Sequence, residues 1–560
     1  MRLRQILSIL LTTTLLPAFL SGQTSFEFIA KSVTESQDTR FTSGPKYERA
    51  LKVYNKLADA RGDRRFPLPA FVMSSSEQNV AYLEGDGLSI GLEEKAYDLC
   101  MSLGEKEGEN AMAALLGHEL THFYEKHQWR RGFADAYIDL KVGRELKSTT
   151  DLYKVNCETQ SDYLGGFLAY SAGYPVYAKL PDFYDLIYQQ YRLPDTMSGY
   201  ASKDDRKALA VKSLEKLNDL VEVFEMANLM TAIGRYDDAR AFYKHILTQY
   251  QGREIYNNLG VLTVLSAITN YFTDSELKYR MPVELDLDFA GGGTRDGFSE
   301  RVEKRRKLLQ EAIQYFDNAT SMDPDYAPAF LNKACAYFLL EDPANLERAR
   351  FYAGVEAKQK AAAMADKYPR TALDAEVLLA LLEEKAGNKT KAISMLTAIK
   401  DQSSVANYNL FIMNGQAPPR GRKEDGPEDE SIDGIDQNGV YNFTRNNRRE
   451  KKEQELFGQI DFRAWQDMGE LRNSKIYVCK PPTGSAMSTD VYIHLTKPGY
   501  PGETFDGYKI GTARKEITDE YGEPNFSLPL TAGEIMVYEE VMFVLDGDKK
   551  VTRFANYFFK

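Results

Sequence analysis

Histidine, cysteine and tryptophan are all scarce in this chain: five, four and two of them in 560 residues. The cysteines (Cys100, Cys157, Cys335, Cys479) are scattered, with no C-x-x-C spacing. A disulfide-stapled scaffold is excluded, although one disulfide remains open for an exported chain. Positive charge is also in deficit. Lys and Arg number 70 against 82 Asp and Glu, a net charge of -12, and no basic stripe is interleaved with aromatics. That pattern argues against a nucleic-acid partner. Beyond the N-terminal segment no run approaches eighteen apolar residues, so no transmembrane segment is expected in the mature chain. What remains is a globular composition, 43% hydrophobic and 27% charged, at a length that calls for about two to four domains.

The N-terminus reads as an export signal. Arg2 and Arg4 precede an apolar run from Ile6 to Leu20, and Ser21-Gly22 supplies small residues for cleavage. Residues 1–22 are expected to be removed as a signal peptide near Gly22. The run is short for a membrane span and contains Pro17, and no cysteine follows it to carry a lipid. The chain is therefore expected to be exported, to a periplasm or fully secreted.

Patterning divides the remainder and predicts a mainly α protein with small β parts. Residues 25–215 mix helical periods with strand-like runs at Phe71-Val72-Met73 and Leu88 to Leu92. Helices are expected over Ala111 to Gln128 and Leu152 to Ala172. Residues 217–410 become helical, with small residues at recurring places: Gly234-Arg235-Tyr236, then Ala312, Phe316 and Ala319 before Asp323-Pro324, then Gly387-Asn388. These resemble tetratricopeptide helix pairs, in which Ala and Gly permit close helix approach. An ordinary helical bundle is the alternative, and a Gly-rich insertion around Gly291-Gly292-Gly293 interrupts the period. Residues 416–455, with Pro418-Pro419 and dense mixed charge, read as a charged linker. Residues 470–560 turn β-rich and read as a small α+β module, which resembles the outer-membrane-lipoprotein family that includes BamE.

Three of the five histidines fall in Gly117-His118-Glu119-Leu120-Thr121-His122-Phe123-Tyr124-Glu125-Lys126-His127. On a helix, positions i and i+4 lie about 40° apart around the axis, so His118 and His122 face one way, a turn apart. Two imidazoles so placed can grip one Zn²⁺, with Glu119 set to act as base on a metal-bound water. A catalytic zinc needs a third protein ligand. The next helix offers Glu158 and Asp162, again i and i+4. Glu158 would complete a His₂Glu set, and Asp162 would accept the other ring N–H of a ligating histidine. Cys157, roughly 100° from Glu158, is read as a neighbour. His127, nine residues after His118 and roughly 180° away on a continued helix, is expected to pack or hydrogen-bond rather than bind the metal. The bland alternatives are a helix that happens to carry two histidines and an exposed acidic pair.

His118-Glu119-x-x-His122 with His127, Glu158-x-x-x-Asp162 and Ala172-Gly173-Tyr174 resembles the HtpX-type and BepA-type zinc metallopeptidases over roughly residues 45 to 215. The resemblance implies a gluzincin protease domain, one Zn²⁺ per chain on His118, His122 and Glu158, Glu119 as catalytic base and Asp162 as support. It also implies that substrate pairs with an edge strand near Leu88 to Leu92. Relatives of the BepA type join such a core to tetratricopeptide repeats after a signal peptide, which favours a periplasmic location. Several relatives carry a His-Pro pair six residues before an arginine. If Arg206 is that arginine, Tyr200-Ala201 stands there instead, and Tyr200 could offer its phenol to an oxyanion.

The expected activity is zinc-dependent hydrolysis of peptide bonds in envelope protein quality control. Protein or peptide substrates are the expected partners, together with envelope or outer-membrane assembly proteins held by the repeats. Two rivals stand beside it: a zinc hydrolase of another bond, and a latent or inactive protease that works as a repeat-based binding or assembly factor.

Overall fold

The computed structural model describes residues 39–127, 139, 141, 150–194, 202–273, 275–283, 298–417, 466–471, 473–480, 489–504, 507–539 and 541–559. The signal peptide, the Gly291–Gly293 insertion, Tyr200 and nearly all of the linker lie outside them. The described residues are mainly helical with two small sheets. Among the described residues no helix is long and apolar enough to cross a membrane.

The first sheet sits at the N-terminal end. Its strands are β1 (Arg40–Phe41), β2 (Ala70–Ser74), β3 (Ala81–Leu83) and β4 (Ser89–Glu93), in the order β1-β2-β4-β3. Only the β2–β4 pair is parallel. The resemblance places Leu88 to Leu92 at an edge; β4 instead lies inside the sheet, between β2 and β3, because β3 folds against it as a hairpin. The edge strand on that side is β3. A Cβ on Gly91 would fall 2.2 Å from Cζ of Tyr82, its cross-strand partner, so the tyrosine ring occupies the space a side chain would need. The loop into β3 is pinned by the buried Glu93 carboxylate, which accepts from the backbone N–H groups of Gln78, Asn79 and Val80. Those bonds hold Val80 at φ 47°, a conformation a β-branched residue avoids without such support.

Helix α1 (Pro45–Arg61) opens with proline in its first turn and stops at Gly62, whose φ is 61°. Its buried Ala50, Val53, Tyr54 and Leu57 follow helical spacing. After α2 (Glu94–Met101) comes α3 (Glu105–Tyr124), which carries the histidine motif. It begins and ends ahead of the expected Ala111 to Gln128, because Lys126, at φ 57°, turns the chain away. Helix α4 (Thr150–Ser171) ends at Gly173, φ 86°. Helices α3 and α4 touch backbone to backbone. A Cβ on Gly117 would lie 2.5 Å from the Gly165 carbonyl oxygen, and one on Gly165 would lie 2.6 Å from His118 N. No side chain fits at either place, so the two helices approach there as closely as helices can.

Helices α5 (Leu180–Gln190) and α6 (Lys203–Ala232) follow, and Ser202 Oγ accepts from Asp205 N at 3.1 Å to cap the first turn of α6. Then come α7 (Tyr236–Leu247), α8 (Arg253–Tyr271), α9 (Phe298–Met322), α10 (Ala327–Leu340) and α11 (Pro343–Phe351). A π-helical stretch (Tyr352–Gln359) precedes α12 (Lys360–Ala363), α13 (Thr371–Lys385), α14 (Lys389–Ile399) and α15 (Ser404–Met413). From α6 to α10, and from α13 to α15, each helix packs on the next. Small residues sit at the seams: a Cβ on Gly260 would meet the Phe316 ring at 2.4 Å. The array is tied to α1 by the buried Arg253, which pairs with Asp323 and donates to the Asp59 carbonyl at 2.9 Å.

Among the described residues the C-terminal part is a seven-stranded antiparallel sheet with one helix. Its strands are β5 (Gln466–Leu471), β6 (Ser474–Cys479), β7 (Val491–Thr496), β8 (Phe526–Leu530), β9 (Gly533–Val537), β10 (Val541–Asp546) and β11 (Val551–Phe559), in the order β5-β6-β7-β11-β10-β9-β8. Side chains alternate between its faces. Met542 and Val544 join the main core, while Val541, Phe543 and Leu545 form a second core with Ile517 of α16 (Arg514–Tyr521). Lys475 pairs with Glu222 at 2.8 Å and Arg553 with Glu225 at 2.7 Å, which fastens the sheet to α6.

The Gly117–Gly165 contact generates a prediction whose sign decides between two effects. Replacing a mid-helix glycine by alanine gains about 1 kcal/mol in helix propensity. In Gly165→Ala the new methyl would collide with backbone, and overpacking costs about 1–3 kcal/mol. The variant is expected to be less stable than wild type in urea denaturation; a more stable variant would mean that the helices are not in contact there.

Candidate metal centre

Three side chains from two helices meet where α3 and α4 leave their glycine contact. His118 and His122 project from α3 with their Nε2 atoms 3.0 Å apart. Glu158 of α4 presents Oε2 at 3.5 Å from His118 Nε2 and Oε1 at 3.8 Å from His122 Nε2. Ligand atoms of all three lie within 4.8 Å of one another, and among the described residues this is the one group able to hold a metal ion. Cys157 is buried on the same helix but is not part of the group.

The surroundings aim these atoms. Asp162 Oδ1 lies 2.7 Å from His118 Nδ1. A carboxylate only accepts, so a proton sits on Nδ1 and Nε2 is turned toward His122 and Glu158. Burial opposes a second proton, but Asp162 and Glu158 push the imidazole up to about 10, so without a metal Nε2 is protonated as well and a bound cation would take that proton's place. Asp162 is held by the buried Arg206, whose two terminal nitrogens reach its oxygens at 2.6 and 3.0 Å. Tyr184 of α5 donates to Asp162 Oδ1 at 3.0 Å and accepts from Arg206 at 2.6 Å. Burial works against the Asp162 charge, but the Arg206 guanidinium and His118 hold the carboxyl well below the usual range. Burial likewise works against the charge on Glu158, yet His118, His122 and Arg206 bring it down to about 2.

Glu119 behaves in the opposite way. It is fully buried, and burial, reinforced by the charge of Glu158, pushes its carboxyl up to about 8 against the pull of His118. Its Oε2 accepts from Leu83 N of β3 at 3.0 Å. Its Oε1, like Glu158 Oε2, is buried with no hydrogen-bond partner. Orphaned buried carboxylate oxygens are costly. The Glu158 carboxylate facing a pair of imidazole nitrogens suits a small cation, and the donor set of two imidazoles and one carboxylate matches a divalent metal with an open position.

His127 also lies here, although it follows the end of α3. Its Nδ1 is 2.9 Å from His122 Nδ1, and its Nε2 is 3.2 Å from Gln160 Oε1 of α4. The hydrogen bond expected of it is present, for a different reason from helical angle: the turn at Lys126 folds it back onto His122. Arg206 as a partner of Asp162, Tyr184 and Gln160 are site residues that sequence reasoning does not reach. Arg206 and Tyr184 arrive from other helices, and Gln160, although on α4, is marked only by its contact with His127, which a turn brings back.

No known family model matches the chain, and no curated protein matches it as a relative. The likeness to zinc peptidases therefore rests on the motif residues alone.

Two outcomes test this geometry. Removing the guanidinium in Arg206→Met leaves Asp162 a buried anion without its cation, and breaking a buried pair in this way costs about 3–5 kcal/mol. Chemical denaturation should show that loss; a change below about 1 kcal/mol would mean the pair is not buried. The second concerns pH. The Glu119 carboxyl titrates at about 8 in the fold against an ordinary value of 4.5. Between those values the folded chain binds the extra proton, so this group's contribution to stability falls as pH rises. In metal-free protein the stability advantage of Glu119→Gln over wild type should therefore grow from pH 5 to pH 8. A constant difference across that window would contradict the raised value.

Proposed function

We propose that the chain is an exported zinc-dependent metalloendopeptidase of the HtpX and BepA type, with a gluzincin core, tetratricopeptide-like repeats and a C-terminal α+β module. The observation that carries the proposal is the convergence of His118, His122 and Glu158 beside Glu119, which is itself bonded to edge strand β3. Zinc bound by the three side chains would supply a Lewis acid and a water of lowered pKa.

The chain's own residues account for the rest. Leu83 N–H fixes Glu119 Oε2, leaving Oε1 to take a proton from the attacking water and return it to the leaving amine. In β3 and the residues flanking it, Val80, Tyr82 and Glu84 turn their polar backbone groups toward β4, as the bonds from Glu93 N to Val80 O and from Glu84 N to Ser89 O (both 2.9 Å) require. Ala81 and Leu83 face away from β4. An extended peptide aligned on that side would lie beside Glu119, which favours a peptide over a compact substrate. A cavity of about 960 Å³ between the helical array, the ends of α3 and α4 and the C-terminal sheet is lined by Tyr170, Phe224, Tyr243, Tyr250, Tyr326 and Tyr368. It supports a second, client-holding role for the repeats in periplasmic protein quality control. Partners there would include envelope or outer-membrane assembly proteins.

A second reading has one observation in its favour. Glu119 is 0% exposed and both histidines are nearly so, which suits a latent centre in a binding or assembly factor.

One pair of measurements separates the two readings. Glu119→Gln should retain stoichiometric zinc while cleavage of an unfolded protein such as casein falls by at least about 10²-fold, the usual contribution of a general base. Chelation should abolish wild-type cleavage and added zinc restore it. Zinc without turnover in wild type would favour the latent reading, and unchanged cleavage by the variant would remove Glu119 from its role.

A further inference from the structure

Resting on the metal-centre reading above, the geometry points to His127 as a positioning residue that gives His122 the support Asp162 gives His118. The argument is one of hydrogen-bond direction. Gln160 Oε1 is a carbonyl oxygen and can only accept, so at 3.2 Å it requires the proton of His127 to be on Nε2. A neutral imidazole with Nε2 protonated has a lone pair on Nδ1. That atom lies 2.9 Å from His122 Nδ1 and 3.4 Å from Ser161 Oγ; in the shorter contact His122 donates, which leaves its own lone pair on Nε2, the atom that faces His118 Nε2 and Glu158. The chain of bonds from Gln160 to His127 to His122 therefore runs one way and ends in a lone pair at the metal position.

Three further features support a built arrangement rather than a chance contact. His127 is 2% exposed, so water does not compete for its nitrogens. The turn that brings it back is made by Lys126 at φ 57°, a conformation that is costly for a residue with a side chain and is held here by the hydrogen bonds His127 makes to His122 and Gln160. Glu158, Gln160 and Asp162 are alternate residues of α4, so one helix delivers the third ligand and the last acceptor of both relays.

A role in packing alone predicts that any side chain of similar bulk at 127 will serve, whereas a relay needs an acceptor near the position of Nδ1. Leucine keeps bulk without an acceptor; asparagine restores an oxygen close to that place. Zinc affinity of the full chain, measured by chelator competition, should fall about 10–100-fold in His127→Leu and remain within about threefold of wild type in His127→Asn. In zinc-free protein labelled with ¹⁵N-histidine, His122 should be protonated on Nδ1 in wild type and in His127→Asn. Equal zinc affinity in His127→Leu and wild type would overturn the relay, as would an asparagine variant that loses as much as leucine while melting at the wild-type temperature. An Nε2-protonated His122 would overturn it as well, and this readout needs no metal. Absence of zinc binding by wild type would remove the metal centre itself, and that outcome is distinct from the other three.

Discussion

Two glycines facing each other set the spacing on which the candidate centre depends. Helices normally pack with axes about 8–10 Å apart because side chains intervene. Gly117 and Gly165 have none to intervene, and either Cβ would strike the other helix's backbone. His118 directly follows Gly117, so the first candidate ligand leaves α3 at the point of closest approach. Glu158 lies seven residues before Gly165, about two turns along α4, and thus on the same face as the glycine. A short carboxylate can reach two imidazoles only if the helices are this close. The site is therefore a consequence of backbone contact as much as of the motif.

That closeness carries an electrostatic cost, and the surrounding polar groups offset it unequally. Asp162 has an arginine in bidentate contact and a tyrosine hydroxyl. It is a fully supported anion, bonded also to His118 Nδ1. Glu158 is held down by the histidines but keeps one oxygen orphaned, and Glu119 keeps one oxygen orphaned with its carboxyl pushed upward. Three carboxyl groups of similar chemistry are thus set apart by what touches each one: Asp162 is fully paired, Glu158 is held ionised beside the histidines, and Glu119 is pushed toward its protonated form. Perturbation of this kind marks functional sites more often than structural ion pairs, which tend to be satisfied on every oxygen.

Legibility in the sequence tracks the range of the interaction. His118 with His122, and Glu158 with Asp162, can be read because a helix makes residues four apart into neighbours, and the meeting of the two pairs follows from the chemistry of a three-ligand site. The helix ends at Gly62 and Gly173 are equally local. Strand order is not: β4 reads as well as β3 for an edge until the hairpin is seen to place Ala81–Leu83 outside it. Arg206 sits 44 residues from the carboxylate it holds, with another helix between, and no spacing rule reaches that far. For His127 the inference from helical angle gives the right role from a wrong premise, since α3 ends at Tyr124. The strand Phe526–Leu530 is hidden in the sequence because Pro529 lies within it, and proline in a strand is tolerated at an edge, where β8 runs.

The C-terminal sheet is joined to the candidate centre by rigid elements rather than by proximity. Helix α6 carries Arg206 in its first turn and, sixteen residues later, Glu222, where Lys475 and Tyr477 attach. Sixteen residues of helix span about 24 Å. At the other side, Thr531 of the turn between β8 and β9 rests against Gly173, which ends α4. The two helices that support the candidate ligands thus both abut the sheet at their far ends. Arg206 can hold Asp162 only while α6 keeps its axial position relative to α4. A sheet that grips α6 at Glu222 and Glu225 and meets the end of α4 restricts sliding of one helix along the other. The Arg235 guanidinium, paired with Asp238 and donating to the Thr489 carbonyl, adds a further tie just beyond the end of α6. On this argument the sheet belongs to the mechanical frame of the centre.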